Sequence, residues 1–461
     1  MMLLKIFSWK RKRLKINLFG GIFFILTFII VSLIINIQIT SSSSSNLKSY
    51  ISNNDIIFNE SEFYFNNKKE IINNILKKLT YAPLDSIKTH GKLDYKGHTI
   101  TYKTTIDSIL QYLSNYYLKI YHPKYAALVI LDSYTGRIKA LISYFNPDSG
   151  ENSYKDYNFY MSNKFPAASI FKYITLYTYL TRHNGDINDS CFFVGRTNTL
   201  YRYQLKDTIY RYSRGVSLKR AYGLSINPVF GKIGYKLNNL IIDVAESTFF
   251  FKDTINFIIP IAGGDLIPIK KEYNYAELGS GFTYKTTLNP IQAALIYTAV
   301  VNKGYIPKPY LFEELKVDNK KVYSGEQEII KSGLSKRALS EIEEASRYVI
   351  KRGTARRKAR RLKYILKKYP NWVVGGKTGN INGKYIKGRT DWFVGFVYNK
   401  NNPYKENFTI AIVQVHGYYW TQHSSFIASE IIRRYIKYKE KEKSNVARGR
   451  EGISNNKEIV R

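Results

Sequence analysis

The chain has 461 residues, 44% of them hydrophobic, with 29 Gly and 12 Pro, an ordinary globular composition that excludes a disordered or collagen-like polymer and allows up to about three domains. Its one cysteine, Cys191, excludes an internal disulfide framework and any cysteine-based zinc or iron–sulfur site, and its six histidines never form H-E-x-x-H. With 71 Lys and Arg against 35 Asp and Glu the formal net charge is +36, a field that favours anionic partners: nucleic acid, a phospholipid surface or an acidic wall polymer.

The first 15 residues carry Lys5, Lys10, Arg11, Lys12, Arg13 and Lys15 and no acid. Leu18 to Ile37 then runs 20 residues without a charge, which at 1.5 Å per residue is about 30 Å, the thickness of a bilayer's hydrocarbon core. Basic residues before such a span stay inside the cell, and the run is too long, and lacks the A-x-A-like site, for a cleaved signal peptide. We therefore expect a cytoplasmic basic tail over 1–15 and one uncleaved transmembrane helix over 16–38, with everything after it exported. Export argues against nucleic acid as the partner. Residues 39–120 read as a polar linker or stalk: Ser41–Ser45 is a flexible run, and helical spacing appears at Ile71, Ile72, Ile75, Leu76 and Leu79 and again at Ile106, Ile109, Leu110 and Leu113.

From residue 121 the texture changes. Ala126–Leu131 and Arg137–Tyr144 are apolar runs joined by Asp132-Ser133-Tyr134-Thr135-Gly136, a hairpin signal. A long helix-biased middle comes next. Trp372–Gly376, Trp392–Tyr398 and Phe408–Val415 read as three more strands, and Phe426, Ile427, Ile431 and Tyr435 mark an amphipathic closing helix. The simplest assembly is an α+β domain over 121–438, in which both ends complete one antiparallel sheet flanked by helices. A charged, disordered tail is expected over 439–461.

Three short segments carry chemistry. In Phe165-Pro166-Ala167-Ala168-Ser169-Ile170-Phe171-Lys172, Ser169 stands at a helix start and Lys172, three residues on, shares its face. A serine hydroxyl needs a base to become a nucleophile, and a lysine can serve once burial or neighbouring cations make it neutral. The helix N-terminus also favours negative charge developing beside Ser169. The second segment, Gly223-Leu224-Ser225-Ile226-Asn227-Pro228, offers the Ser225 hydroxyl and the Asn227 amide from a turn. In the third, Val374-Gly375-Gly376-Lys377-Thr378-Gly379-Asn380, an apolar strand ends in a cation, a hydroxyl and glycines that let a substrate backbone lie close.

Each pattern alone is weak. Ser45-Asn46-Leu47-Lys48 also matches S-x-x-K, Ser52-Asn53-Asn54 and Ser454-Asn455-Asn456 match S-x-N, and Lys331-Ser332-Gly333 is a second K-[ST]-G. The chosen trio falls inside the folded region in the order S-x-x-K, S-x-N, K-T-G, 56 and 152 positions apart. That order belongs to penicillin-binding proteins and the related β-lactamases, and over about residues 121–438 the chain resembles the penicillin-binding transpeptidase family. Gly279-Ser280-Gly281, Thr287-Leu288-Asn289-Pro290-Ile291-Gln292 and Asn302-Lys303-Gly304 look like that family's G-x-G, T-P-x-Q and N-x-G signals. Gly353-Thr354-Ala355 resembles its G-T-A, and Trp392-Phe393-Val394-Gly395 its W-F-x-G strand. Two positions depart: Asn380 stands where the family usually has Thr, and Ala168 where it often has Gly.

The resemblance implies a fold of antiparallel sheet flanked by helices. It also implies catalytic roles for Ser169 as acyl nucleophile, Lys172 as its base and Ser225 as proton relay. Asn227, Lys377, Thr378, Gly379 and Asn380 would bind substrate, with Lys377 and Thr378 on the terminal carboxylate and the N–H groups of Ser169 and Asn380 as oxyanion hole. No cofactor or metal is implied. The expected protein is a peptidoglycan D,D-transpeptidase held in the bacterial cytoplasmic membrane, without room for a fused glycosyltransferase. Its partners would be D-Ala-D-Ala stem peptides, β-lactams and other cell-wall synthesis proteins. A D,D-carboxypeptidase, and a β-lactamase or β-lactam sensor, are the alternatives on the same motifs; no E-x-x-L-N supplies the deacylating base of a class A lactamase. The ten cations from Lys351 to Lys368, without an acid, read as a solvated face or as a surface for acidic glycan or headgroups.

Overall fold

The computed structural model describes residues 47–80, 89–146, 158–383, 387–417 and 419–447. The basic tail and the anchor expected over 1–38 lie outside the described residues, and among those described no helix is long and apolar enough to cross a membrane. The chain divides into two compact units, residues 1–66 and 67–461. The described part of the first belongs to helix α1, Leu47–Thr80.

After the end of α1 the second unit has a hairpin inside the segment expected to be linker. Strands β1 (His90–Tyr95) and β2 (His98–Thr104) pair antiparallel with Tyr95 opposite His98. The two residues between them, Lys96 and Gly97, both have positive φ, at 50° and 82°, the twist that joins tightly paired strands. Helix α2 (Ser108–Tyr121) starts where the Asp107 carboxylate accepts from the backbone N–H groups of Ile109 and Leu110, both at 3.0 Å. Ile106, expected inside that helix, precedes it.

Strand β3 (Tyr125–Leu131) is buried at every residue and returns as β4 (Ile138–Phe145). Their turn is the one expected: Asp132 Oδ1 accepts from Tyr134 N–H and Thr135 N–H at 3.0 and 2.9 Å. The helix-rich middle contains α3 (Lys172–Arg182), α4 (Leu218–Leu224), α5 (Asn227–Leu237), α6 (Asn239–Phe249), α7 (Tyr273–Ser280) and α8 (Pro290–Asn302). The N-terminus of α8 is set by Asn289 and Gln292 in a capping box with Pro290 at the first turn. Strands β5 (Phe312–Val317) and β6 (Lys320–Ser324) then pair, and β5 also pairs with β2, giving a four-stranded sheet β1-β2-β5-β6. Residues 90–104 thus share a sheet with the heart of the domain rather than standing apart as a stalk.

Helices α9 (Lys336–Lys351) and α10 (Arg360–Lys368) lead into β7 (Trp372–Gly383), β8 (Gly388–Asn399) and β9 (Asn407–His416). These join the first hairpin as one antiparallel sheet in the order β7-β8-β9-β3-β4. Strand β7 does not stop at Gly376 as the apolar run suggests; it carries Lys377, Thr378, Gly379 and Asn380 and ends at Gly383. Helix α8 packs on β8, β9 and β3, while α2 and α11 (Ser424–Ala447) pack on each other and on the same sheet. All ten residues of β9 are buried, so both faces of the sheet are covered. The closing helix runs to Ala447, beyond the boundary expected at 438: its last turns are charged but helical, with Lys443 bridging to Glu406 at 2.7 Å.

Candidate active site

Ser169 lies in a short 3-10 turn, Ala168–Phe171, that runs directly into α3 with Lys172 as the first α-helical residue. The turn is held from three sides. Phe165–Pro166 pairs with Thr287–Leu288, and the Ala167 N–H donates to the Thr286 carbonyl at 2.9 Å. A side chain on Gly281 would meet the Ala168 carbonyl at 1.9 Å, and one on Gly379 would come within 3.2 Å of the backbone nitrogens of Ser169 and Ile170. At Gly281 only glycine permits the approach of backbone to the nucleophile turn, while at Gly379 a Cβ would press on it and require a shift of a few tenths of an ångström. Ala168 itself has φ +48°, a left-handed conformation that strains any residue with a Cβ. The departure from Gly seen in the sequence therefore falls on a position whose backbone asks for Gly.

Lys172 is fully buried. Its Nζ is 2.7 Å from Ser169 Oγ and 2.8 Å from Asn227 Oδ1, and it also contacts the Ser280 carbonyl. Burial holds the lysine well below its ordinary pKa, and the positive charge of Lys377 lowers it further. A neutral amine has two N–H donors and one lone pair. The Asn227 and Ser280 oxygens take the two donors, which leaves the lone pair for the Ser169 hydroxyl proton. The Ser280 carbonyl is a backbone group, and only the G-x-G resemblance hints that this segment belongs to the site.

Asn227 is the first residue of α5, where Pro228 suits the helix start. Ser225 ends α4 in a left-handed conformation, φ +57°, so a sharp corner presents its hydroxyl and the Asn227 amide to the same space. Lys377, buried on β7, donates to Ser225 Oγ at 2.9 Å and to the Thr378 carbonyl at 2.8 Å, and its Nζ sits 5.6 Å from the centre of the Tyr222 ring. Burial lowers its pKa to about 7. Thr378 is half-exposed, Gly379 buried and Asn380 exposed on the same strand. The G-T-A stretch gains a role that its resemblance alone does not give: the Thr354 and Thr378 hydroxyls are 2.6 Å apart, while the Thr354 N–H donates to the Gly223 carbonyl at 3.0 Å. Thr354 therefore ties the S-x-N corner to the K-T-G strand.

Seven of the eight expected residues thus meet in one place: Ser169, Lys172 and Asn227 directly, Ser225, Lys377 and Thr378 directly, and Gly379 against the Ser169 backbone. Asn380 is carried one residue further along β7, opposite Asp391. Of the decoys in described residues, Lys331-Ser332-Gly333 comes at the end of a three-residue strand paired with Ile306–Pro307 and joins none of these groups. Cys191 lies on the strand Ser190–Phe193 with its thiol pushed up to about 11 by burial, the opposite of what a nucleophile needs. Among the described residues no group of His, Cys, Asp and Glu could hold a metal ion.

No curated protein matches the chain. Solved structures show the same fold. The D,D-transpeptidase domain of a peptidoglycan glycosyltransferase from Eggerthella lenta superposes with a TM-score of 0.56 at 19% identity, over 74% of this chain and 83% of that one. Penicillin-binding protein A from Mycobacterium tuberculosis gives 0.58 at 20% identity, over 73% and 81%. The same mycobacterial protein solved as its penicillin G acyl-enzyme gives 0.56 at 20% identity, over 74% and 80%. Residues 126–437 match the family of the penicillin binding protein transpeptidase domain. The match spans two thirds of the chain, and the chain belongs to that family.

Proposed function

We propose that the chain is a serine D,D-transpeptidase that cross-links peptidoglycan stem peptides and is acylated by β-lactams. The observation that carries this reading is the placement of the buried Lys172 Nζ, 2.7 Å from Ser169 Oγ and held by the Asn227 side-chain oxygen and the Ser280 carbonyl. Ser169 Oγ attacks the carbonyl of the penultimate D-Ala as its proton passes to Lys172. The negative charge on the carbonyl oxygen is met by the N–H groups of Ser169 and Asn380. Collapse breaks the C–N bond, and Lys172 passes the serine's proton on to the departing D-Ala amine by way of the Ser225 hydroxyl, which Lys377 orients. An amine of a neighbouring stem then attacks the Ser169 ester and loses its proton to Lys172, which returns it to Ser169 Oγ as the ester bond breaks, so that the free serine and the neutral lysine are restored. Lys377 and Thr378 hold the terminal carboxylate, and Asn227 holds the donor peptide.

Residues 16–38 anchor the protein in the cytoplasmic membrane with the tail 1–15 inside and the catalytic unit outside, on the strength of the uncharged run and the cations before it. Three classes share the acylation step and differ in the fate of the acyl-enzyme. A carboxypeptidase or a β-lactamase hands the ester to water, which requires a base beside it. Glu246, an acid beyond Asn227 in the chain and a candidate for that role, is on α6 and bridges to Lys252 at 2.8 Å. A penicillin pulse and chase read by intact-protein mass spectrometry tests the reading. We expect an adduct on Ser169 that persists for many minutes. Loss of the adduct within seconds would make the protein a β-lactamase.

A further inference from the structure

A second feature lies outside the acylation machinery, on the segment between the short strands Ser190–Phe193 and Arg214–Ser217. The chain writes one tripeptide twice there, Tyr201-Arg202-Tyr203 and Tyr210-Arg211-Tyr212. In each copy the flanking rings stack on one another, at 5.7 Å and 12° in the first and 5.2 Å and 9° in the second. The rings face solvent: Tyr201, Tyr203 and Tyr212 are 54%, 52% and 69% exposed. Folded chains normally place tyrosine bodies against something, and a cluster left uncovered marks a binding surface.

The backbone under these rings is fixed. Gln204 is fully buried, its Oε1 accepting from the Tyr201 N–H and its Nε2 donating to the Val194 carbonyl, both at 2.8 Å. The second copy closes on itself, with the Tyr210 N–H on Ser213 Oγ and the Ser213 N–H on the Tyr210 carbonyl, both at 2.9 Å. Rings on a rigid support lose little freedom when a ligand arrives. Arg202 is drawn over the Tyr273 ring, 5.8 Å from its centre, while Arg211 and Lys206 remain exposed beside the tyrosines.

The segment is clamped to the helix that supplies Asn227. Its Thr197 carbonyl accepts the Asn227 N–H at 2.7 Å. Leu200 and Leu205 pack where Gly231 of α5 has no side chain; a Cβ there would lie 2.5 and 3.2 Å from their methyls. Gly231 is one helical turn from Asn227, about 6 Å along the axis.

We propose that the paired Tyr-Arg-Tyr segments are a platform for the sugar strand that carries the stem peptides, an inference that rests on the transpeptidase reading above. A β-linked polymer of N-acetylated pyranoses presents C–H faces that stack on flat tyrosine pairs, and amide and hydroxyl rims that reach phenol groups. Its lactyl carboxylates, where free of peptide, meet Arg211 and Lys206. A stem of about five residues spans at most about 17 Å when extended, so a strand whose peptide enters the site must run close to the helix on which the platform rides.

The test uses the full chain and end-labelled, peptide-free strands of alternating N-acetylglucosamine and N-acetylmuramic acid, with binding read by fluorescence anisotropy. Tyr201→Ser with Tyr203→Ser, and separately Tyr210→Ser with Tyr212→Ser, should each weaken binding by at least about tenfold, while the corresponding Tyr→Phe pairs keep it. Penicillin acylation should stay within about twofold in all four, since none of these residues belongs to the acylating group. Strand affinity unchanged in both serine pairs, with acylation intact, would overturn the platform alone. Failure of the parent protein to acylate would instead overturn the transpeptidase reading. Equal or tighter binding of an oligothymidylate by the same tyrosines would make the surface a single-strand nucleic-acid platform. Loss of strand binding in the phenylalanine pairs together with a lowered melting temperature would make the rings merely structural.

Discussion

The half of the site around Lys172 and the half around Lys377 are both built on a buried lysine with a lowered pKa, yet their surroundings differ in one respect. Lys172 has three oxygens within reach, from Ser169, Asn227 and Ser280. Lys377 has two among the described residues, from Ser225 and Thr378. Two acceptors and one hydroxyl satisfy a neutral amine; an ammonium has three hydrogens to place. The first half is therefore complete as a base before any ligand arrives. The second is one acceptor short of a satisfied cation among the described residues, and on the proposed function a substrate carboxylate would supply it. On the proposed function one lysine would take a proton from the serine, and the other would gain one when an anion binds.

Breaking the first half should have the largest effect. Ser169→Ala removes the hydroxyl that contacts Lys172, and no covalent penicillin adduct should form by mass spectrometry; an adduct that persists would move the nucleophile, with Ser225 the first place to look. Lys172→Arg keeps a cation that never deprotonates, so the acylation rate should fall by about 10²–10⁴-fold. A near-normal rate would end the neutral-lysine account.

The pH dependence sharpens the second half. Lys377 titrates at about 7 in the free protein, so it is charged below that pH and neutral above it. Binding a carboxylate above pH 7 then requires uptake of a proton, and affinity should fall by up to about tenfold per pH unit until the pKa of the bound state is reached. Acylation kcat/KM measured from pH 6 to 9 should show this alkaline limb with penicillin and lose it with a penicillin ester that lacks the carboxylate. A limb present with both would assign it to another group.

Two smaller effects concern the supports. Thr354→Val deletes the partner of the Thr378 hydroxyl. It should raise the KM for acylation about fivefold, the worth of roughly 1 kcal/mol of hydrogen bond, with Thr354→Ser restoring it. Ala168→Gly relieves a left-handed Cβ at the cost of a looser unfolded chain, and should raise stability by a few tenths to about 1 kcal/mol in urea titration. A destabilised Ala168→Gly protein would show that the methyl packs better than its backbone strains.

Much of this arrangement is legible in the sequence, for reasons that differ by region. The strands of the central sheet are continuous apolar runs because they are buried on both faces, and the three motifs are short enough to read locally. The β1-β2-β5-β6 sheet is hidden because its strands are polar and alternating and their partners lie about 200 residues apart. The end of β7 is hidden because Gly379, Asn380 and Gly383 read as turn residues while the β8 ladder holds them extended. Ser280 and Thr354 lie in stretches that resemble family motifs, but the motifs do not say what the Ser280 carbonyl and the Thr354 hydroxyl do; that is a matter of which distant atom they touch. The helical end of α11 escapes notice because charge without an apolar stripe looks like tail.

The place of β9 in the central sheet has a consequence for how the molecule comes into being. Strand β9 lies between β8 and β3, and it meets β3 across about 280 residues of chain. At a synthesis rate of 5–20 residues per second the first hairpin would wait roughly 15–60 s for its neighbour. During that interval one edge of β3 is unpaired, an apolar strand with free backbone groups and a template for association with other chains. The protein is therefore most vulnerable to aggregation before its last strand appears, and a chain cut before Asn407 would lose the middle of its sheet rather than an ornament at its edge.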